Sequence, residues 1–180
     1  VFFFIAIAIF CTSGWPIFYL QKRMGKGGIP FVMWKFRTMC KDADTQKQTL
    51  LKQNETDGPV FKIYNDPRHT PIGRLLSHTG VDELPQLFNI VRGDMTFVGP
   101  RPFPVDEAVR IPMHIRHIRE SVLPGILFPY IYEGYHEKSF LVWMENDLRY
   151  VQKKSLWGDV VITYYAFRHM IQIYLRGVLR

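Results

Sequence analysis

Asp82-Glu83-Leu84-Pro85-Gln86-Leu87-Phe88-Asn89-Ile90-Val91-Arg92-Gly93-Asp94-Met95-Thr96-Phe97-Val98-Gly99-Pro100-Arg101-Pro102 is the stretch on which the reading of this 180-residue chain turns. Two adjacent carboxylates open it. Pro85 suits a first helical turn, because its φ is already fixed and its missing N–H costs nothing there. Leu84, Leu87, Phe88 and Val91 recur at helical spacing and predict a short helix with an apolar face. Gly93-Asp94 ends it, Met95 to Val98 reads as a short strand, and Gly99-Pro100-Arg101-Pro102 is a stiff loop that presents one arginine between two prolines.

An Asp-Glu pair at a helix start ordinarily complements the positive end of the helix dipole. It can also divide labour between a nucleophile or base and a metal ligand. Working outward, Gln21-Lys22-Arg23-Met24-Gly25 and Lys35-Phe36-Arg37-Thr38-Met39 precede the pair. Nearer to it stand Asn65-Asp66-Pro67-Arg68 and Gly73-Arg74-Leu75. Pro124-Gly125, Asp147-Leu148-Arg149-Tyr150 and Ser155-Leu156-Trp157-Gly158-Asp159 follow it.

In that order these blocks resemble the bacterial sugar transferases, the monotopic phosphoglycosyl transferases that move a phosphosugar onto a polyprenyl phosphate, over nearly the whole chain. The resemblance implies an enzyme that uses Mg²⁺ and takes a nucleoside diphosphate sugar, a UDP-sugar being the expected donor, and polyprenol phosphate as acceptor. Asp82 would be the nucleophile that forms an aspartyl-phosphosugar, and Glu83 the Mg²⁺ ligand. Arg101 would bind donor phosphate, with Arg74, Lys35 and Arg37 as further phosphate-binding candidates, and Asp147 and Asp159 match other acidic positions of the family. The same resemblance implies initiation of glycan or exopolysaccharide assembly at the cytoplasmic face of the bacterial inner membrane, contacts with membrane lipids, and compatibility with a homodimer.

The chain departs from the family's pattern in places. Ser77 and His78 stand where basic residues are common, and Gly80 where Ser is usual. Ile126-Leu127-Phe128-Pro129-Tyr130-Ile131-Tyr132 replaces a Thr-Gly-containing turn. A lost cation near a diphosphate weakens charge-assisted contacts, so a catalytically weakened, membrane-associated relative with an assembly or regulatory role is the alternative. The aromatic stretch could reshape a substrate pocket, insert at a membrane interface or pack in the core.

A composition that is 47% hydrophobic and 15% aromatic, with a net charge of +7, calls for an anionic partner. Nucleic acid is disfavoured, since no zinc-finger spacing, RNA-binding aromatic signature or helix-turn-helix pattern is present. Cys11 and Cys40, in unlike surroundings, do not read as a disulfide.

Val1 to Cys11 is entirely apolar, and apolar character resumes from Trp15 to Leu20. Lys22, Arg23, Lys26, Lys35 and Arg37 follow. The run is too short for an ordinary span of about 20 apolar residues. It is either a buried core helix or a membrane-inserted segment, and the basic residues after it favour insertion with the following domain in the cytoplasm. The resemblance makes it re-entrant, although the family's Ser-Pro break is missing from residues 1–20. The chain opens on Val rather than Met, so further sequence is expected upstream.

The expected architecture is α+β and mostly helical. A membrane-inserted helix over 1–20, incomplete at its N-terminus, precedes a catalytic domain over 21–180 that carries interfacial amphipathic helices. Ile29–Met39 reads as a strand or turn with Lys35 and Arg37 on one side, and Ile72–Ser77 as a short helix with Arg74 exposed. Val105–Ser121 reads as a basic amphipathic helix interrupted at Pro112, whose His114, Arg116, His117 and Arg119 form a solvated or membrane-facing surface. Phe140–Tyr150 is helical, with Trp143 and Asp147 one turn apart. Ser155 caps a last helix whose charges argue for an interfacial position.

Overall fold

The structure, a computed structural model, describes residues 1–130 and 139–178, with side chains as far as residue 172. In chain order its elements are α1 (Phe2–Ser13), β1 (Phe18–Met24), β2 (Pro30–Phe36), α2 (Ala43–Leu50), α3 (Pro71–Thr79) and α4 (Gln86–Val91). Then come β3 (Thr96–Val98), α5 (Val105–Ala108), α6 (Met113–Glu120), β4 (Gly125–Leu127), α7 (Phe140–Gln152) and α8 (Leu156–Val178). Helix and strand are mixed, and helix makes up about half of the chain, less than the expected "mostly helical".

The apolar N-terminal run is not one helix over 1–20. α1 stops at Ser13, and Gly14, with φ 70, turns the chain out of it. Phe18 already belongs to a strand. The reason is local: Thr12-Ser13-Gly14 ends the helix, and Pro16 cannot extend one because it has no N–H to donate. None of the described helices is long and apolar enough to cross a membrane. Twelve residues of α1 rise only about 18 Å against a hydrocarbon core of roughly 30 Å.

β1 and β2 form an antiparallel ribbon in which Phe18 faces Phe36, Tyr19 faces Lys35, Gln21 faces Met33 and Arg23 faces Phe31. Because side chains alternate along a strand, the ribbon has two unlike faces. One carries Tyr19, Gln21, Arg23 and Lys35. The other carries Phe18, Trp34 and Phe36, with Phe18 and Phe36 stacked at 5.3 Å and Phe2 of α1 at 5.4 Å from Phe36. That aromatic face joins Ile9, Leu76, Val81 and Leu84 in a small core, which fixes α1 to α3 and to the turn that carries the carboxylates.

A second core gathers Phe103, Ile111, Phe128, Tyr130, Phe140, Trp143 and Met144. Phe128 and Tyr130 of the atypical aromatic stretch are therefore core residues here, Tyr130 lying parallel to Trp143 at 5.4 Å. Ile131 and Tyr132 fall outside the described residues. A third cluster, Val98, Tyr150 and Ile162, ties α7 and α8 to β3, which pairs with β4 in parallel.

Two expectations need correction. The apolar face of α4 does not point inward: Leu87, Phe88 and Val91 are exposed while Gln86 and Asn89 are buried. Asn89 fills the role of a neighbouring strand, accepting from the Trp34 N–H at 3.1 Å and donating to the Val32 carbonyl at 2.7 Å. Two β2 backbone groups and one amide are satisfied together, and that holds polar atoms inside at the expense of Leu and Phe. Arg119 is not solvated either. It is buried on α6 one turn beyond the partly buried Ile115, while His114 and His117 are exposed. The segment 105–121 is interrupted at Pro112 as expected, with Pro112 capping the second of its two helices. Cys11 and Cys40 are both free thiols.

Candidate active site

α3 delivers the carboxylates. Thr70 caps it by accepting from the Gly73 N–H at 3.1 Å, and Pro71 occupies its first turn. Gly73 lets α3 lie against the backbone of Thr38, whose carbonyl oxygen would be 1.9 Å from any Cβ there. Gly80 then ends the helix at φ 70, in the left-handed region where glycine is favoured. It leads straight into a single tight turn, Val81–Glu83, that carries both acids. The departure from Ser at position 80 thus sits where the backbone rewards glycine.

Asp82 is buried, and Lys35 reaches across from β2 to both acids. Its Nζ is 2.6 Å from Glu83 Oε1 and 3.9 Å from Asp82 Oδ2. The two carboxyls do not titrate alike. Burial, with the neighbouring Glu83 charge adding to it, pushes Asp82 up to about 6, against the opposing pull of Lys35. For Glu83 burial also opposes the charge, but Lys35 and Arg101 outweigh it and hold the group below the usual range. One acid of the pair thus stays ionised while the other is poised near neutrality.

Arg101 sits in the loop that follows β3, its guanidinium 4.7 Å from the centre of the Phe128 ring. The atypical aromatic at position 128 therefore supports this arginine by a cation–π contact. Behind the loop lies a buried chain of contacts. Asp147 accepts from Arg119 Nε at 2.8 Å, and Arg119 Nη2 donates to the Arg101 carbonyl at 2.7 Å. Burial pushes the Asp147 carboxyl up, and Arg119 only partly offsets it. Asp159, at the start of α8, lies 2.8 Å from the Tyr150 hydroxyl, which is also 2.9 Å from the Val98 carbonyl. Ser155 caps α8 as expected, accepting from Gly158 N. Asp147 and Asp159 thus brace the strand and loop that carry Arg101, and touch neither Asp82 nor Glu83.

Lys35 and Arg37 diverge. Arg37 is buried and its Nη2 donates to the Ser13 and Gly14 carbonyls at 2.6 and 2.7 Å, a cation placed at the C-terminal end of α1. Its Nε and Nη1 have no hydrogen-bond partner. Arg74 is exposed on α3. Arg23, which the sequence offered as part of the Gln21-to-Gly25 block and of the basic run after the apolar segment, lies beside Arg101: its Nη1 donates to the Pro102 carbonyl at 2.9 Å. No spacing signal in β1 distinguishes it from Lys22, which is exposed.

Among the described residues no group of three or more His, Cys, Asp and Glu side chains could hold a metal by itself. The Asp82–Glu83 pair still fits Mg²⁺, which is commonly bound by one or two carboxylates plus substrate phosphates and water. Glu83, kept ionised, would be the better ligand of the two.

A profile of the bacterial sugar transferases matches residues 1–173. The chain is 37% identical over 151 residues to a galactosyl transferase, CpsE, of Streptococcus agalactiae, covering 83% of this chain and 33% of that protein. It is 35% identical over 174 residues to a UDP-N-acetylgalactosamine-undecaprenyl-phosphate N-acetylgalactosaminephosphotransferase of Aeromonas hydrophila, covering 92% of this chain and 38% of that one. With the exopolysaccharide production protein ExoY of Sinorhizobium fredii the identity is 36% over 157 residues, 85% of this chain and 69% of that protein. The chain thus spans about a third of the first relative, somewhat more of the second and about two thirds of the third. The ordered blocks, the profile and these relatives agree: the chain belongs to the bacterial sugar transferase family.

Proposed function

We propose that this chain carries the transfer site of a phosphoglycosyl transferase, which moves a phosphosugar from a nucleoside diphosphate sugar to polyprenol phosphate and so begins glycan or exopolysaccharide assembly. The observation that carries this reading is the unequal carboxylate pair under Lys35, one acid ionised and the other pushed up to about 6. Relatives named as undecaprenyl-phosphate sugar phosphotransferases support the substrate class, and their names make a UDP-sugar the donor to try first.

In this reading an Asp82 carboxylate oxygen attacks the β-phosphorus of the donor. The bond from that phosphorus to the bridging oxygen breaks, its electron pair stays on the departing nucleoside monophosphate, and an aspartyl-phosphosugar remains. A phosphate oxygen of the polyprenol phosphate then attacks the same phosphorus, and Asp82 leaves as a carboxylate. Burial suits this role, because a desolvated carboxylate is a better nucleophile than one held by water. Lys35 limits repulsion between the two acids and the incoming phosphates. Mg²⁺, held by Glu83, would neutralise phosphate charge. Arg101 would take donor phosphate through its forked N–H groups.

Release of nucleoside monophosphate from a panel of nucleoside diphosphate sugars, with Mg²⁺ and a polyprenyl phosphate, tests the reading. No release from any donor would overturn it. In the same assay Arg101→Ala is expected to lose about 10- to 100-fold in kcat/KM for the donor, the equivalent of about 1.5–3 kcal/mol for a charged hydrogen bond. An unchanged donor dependence would leave Arg101 only a loop-shaping role.

The surface supports a membrane position. Phe3, Phe4, Ile7 and Phe10 of α1 are exposed, and α4 adds Leu87, Phe88 and Val91. The two helices meet at the Phe2–Phe88 ring contact, 6.1 Å apart. α8 exposes Trp157, Val160, Tyr164 and Phe167. Such apolar surface matches a re-entrant or interfacial seat in lipid, at the cytoplasmic face where the phosphorylated substrates would meet. The protein is expected to stay with membranes through a high-salt or carbonate wash, since salt screens charge but not burial. Recovery in the supernatant would rule out insertion.

A further inference from the structure

A cavity of about 430 Å³ opens on the cation-bearing face of the β1–β2 ribbon, within the size range of small-molecule sites. Arg101 and Arg23 stand in its wall together with Phe103, while Tyr19 and Phe61 supply aromatic surface further along. Two cations in this wall have an acidic partner close by. Lys47 pairs with Glu107 at 3.2 Å, and Arg68 pairs with Asp66. Arg23 does not: among the described residues no carboxylate lies within ion-pair distance of it. Its Nη1 meets only a backbone carbonyl, and its Nε is buried without a hydrogen-bond partner. Burial, with the neighbouring Arg101 charge, draws the group down to about 10. A desolvated guanidinium beside a second one is costly unless an anion joins them.

The position of Arg23 says which anion. Lys35 is in contact with the nucleophile and its neighbour, so it serves the attacking side. Arg23 touches neither acid: it donates to the Pro102 carbonyl of the Pro-Arg-Pro loop and lines the cavity beside Arg101, whereas Lys35, Asp82 and Glu83 do not line it. In an in-line displacement the leaving group departs opposite the nucleophile. When the bond between the β-phosphorus and the bridging oxygen breaks, the electron pair stays on that oxygen, and the α-phosphate gains a negative charge. A cation that stands clear of the attacking carboxylate, in the wall of the cavity, suits that charge. Resting on the phosphosugar-transfer reading above, we propose that Arg23 binds the departing nucleoside phosphate and that the cavity beyond it seats the nucleoside.

The test is titration of uridine monophosphate into the full chain in detergent, wild type against Arg23→Gln and Arg23→Lys, with melting temperatures recorded without ligand. Arg23→Gln is expected to bind at least tenfold more weakly, and Arg23→Lys several-fold more weakly, while Arg23→Lys melts as wild type does. A residue that merely props the Pro102 carbonyl would be replaced by Lys with no loss of affinity. Wild-type affinity in Arg23→Gln, or in Arg23→Lys should the Gln variant fail to fold, overturns the assignment. Failure of the wild type to bind either uridine or guanosine monophosphate overturns the cavity assignment as well. A wild type that binds the nucleotide but releases none from any nucleoside diphosphate sugar overturns the transfer reading and leaves the nucleotide site standing.

Discussion

Asp82→Asn is expected to abolish phosphosugar transfer and, at neutral pH, to melt higher than the wild type. An amide cannot form the acyl-phosphate adduct, so the loss of turnover should exceed about a thousandfold. The stability gain has a separate origin. The carboxyl titrates at about 6 when folded, against 3.8 for the free side chain. A folded value above the unfolded one means that the native state binds the proton more tightly. The stability belonging to the protonated form is then fully present below about pH 4 and lost as pH rises through 6. Asn imitates the protonated form at every pH. At pH 8 it should recover on the order of 3 kcal/mol, from roughly two pKa units at about 1.4 kcal/mol each. For a chain of this size that is a shift of roughly 5–10 °C. The gain should shrink toward zero near pH 4. Wild-type turnover should fall along an acid limb near pH 6 as the nucleophile protonates. Melting curves across pH, set beside adduct formation, check both parts. Retained transfer would remove Asp82 from the nucleophile role, and a pH-independent stability difference would remove the buried-charge account.

Arg119→Met should be among the most destabilising single changes outside the two aromatic cores. It leaves Asp147, which has no exposure to solvent, as an uncompensated charge, a loss of about 3–5 kcal/mol where one partner of a buried pair is removed. Asp147→Asn should cost less, because burial already resists the charge on that carboxyl and the amide keeps an acceptor for Arg119. A double replacement with apolar residues, Arg119→Met with Asp147→Leu, should recover much of the stability. It should not recover donor affinity, since the Arg101 carbonyl loses the Nη2 donor in either case. Denaturant midpoints and donor KM measured on the same preparations separate the two effects. Equal destabilisation by Arg119→Met and Asp147→Asn would refute the buried-charge argument.

Much of the site was legible because its chemistry is local. Gly80 to Glu83 is one turn, and Gly99 to Pro102 is one stiff loop, so a short window of sequence holds each. The residues that join these windows were not legible. Arg119 and Asn89 look like ordinary surface polar residues in a linear reading. The 115/119 spacing on α6 was the one available sign that Arg119 shares a side with an apolar neighbour. β1 carried no usable period, because its aromatic face includes the exposed Lys22 and its polar face begins with Tyr19. Its first residues, Phe18 to Leu20, therefore read as part of the apolar run before it. α4 showed its period clearly, yet the period marked the outward face, because the amide of Asn89 was needed at the β2 edge.

The unlike faces of the β1–β2 ribbon make this small element intolerant of changes in length. Side chains alternate with a period of two, so inserting or deleting one residue in either strand would turn every later side chain to the opposite face. Lys35 would trade places with an aromatic neighbour. The charge that accompanies Asp82 and Glu83 would face the α1 side, and Trp34 or Phe36 would face two acids. Substitutions along the ribbon can be absorbed one at a time, but a frame shift in the pleat would remove the cationic wall of the site and the packing that seats α1 together. The turn at Lys26–Gly28, with two glycines at positive φ, is where variation in length between the strands can be taken up without moving either face.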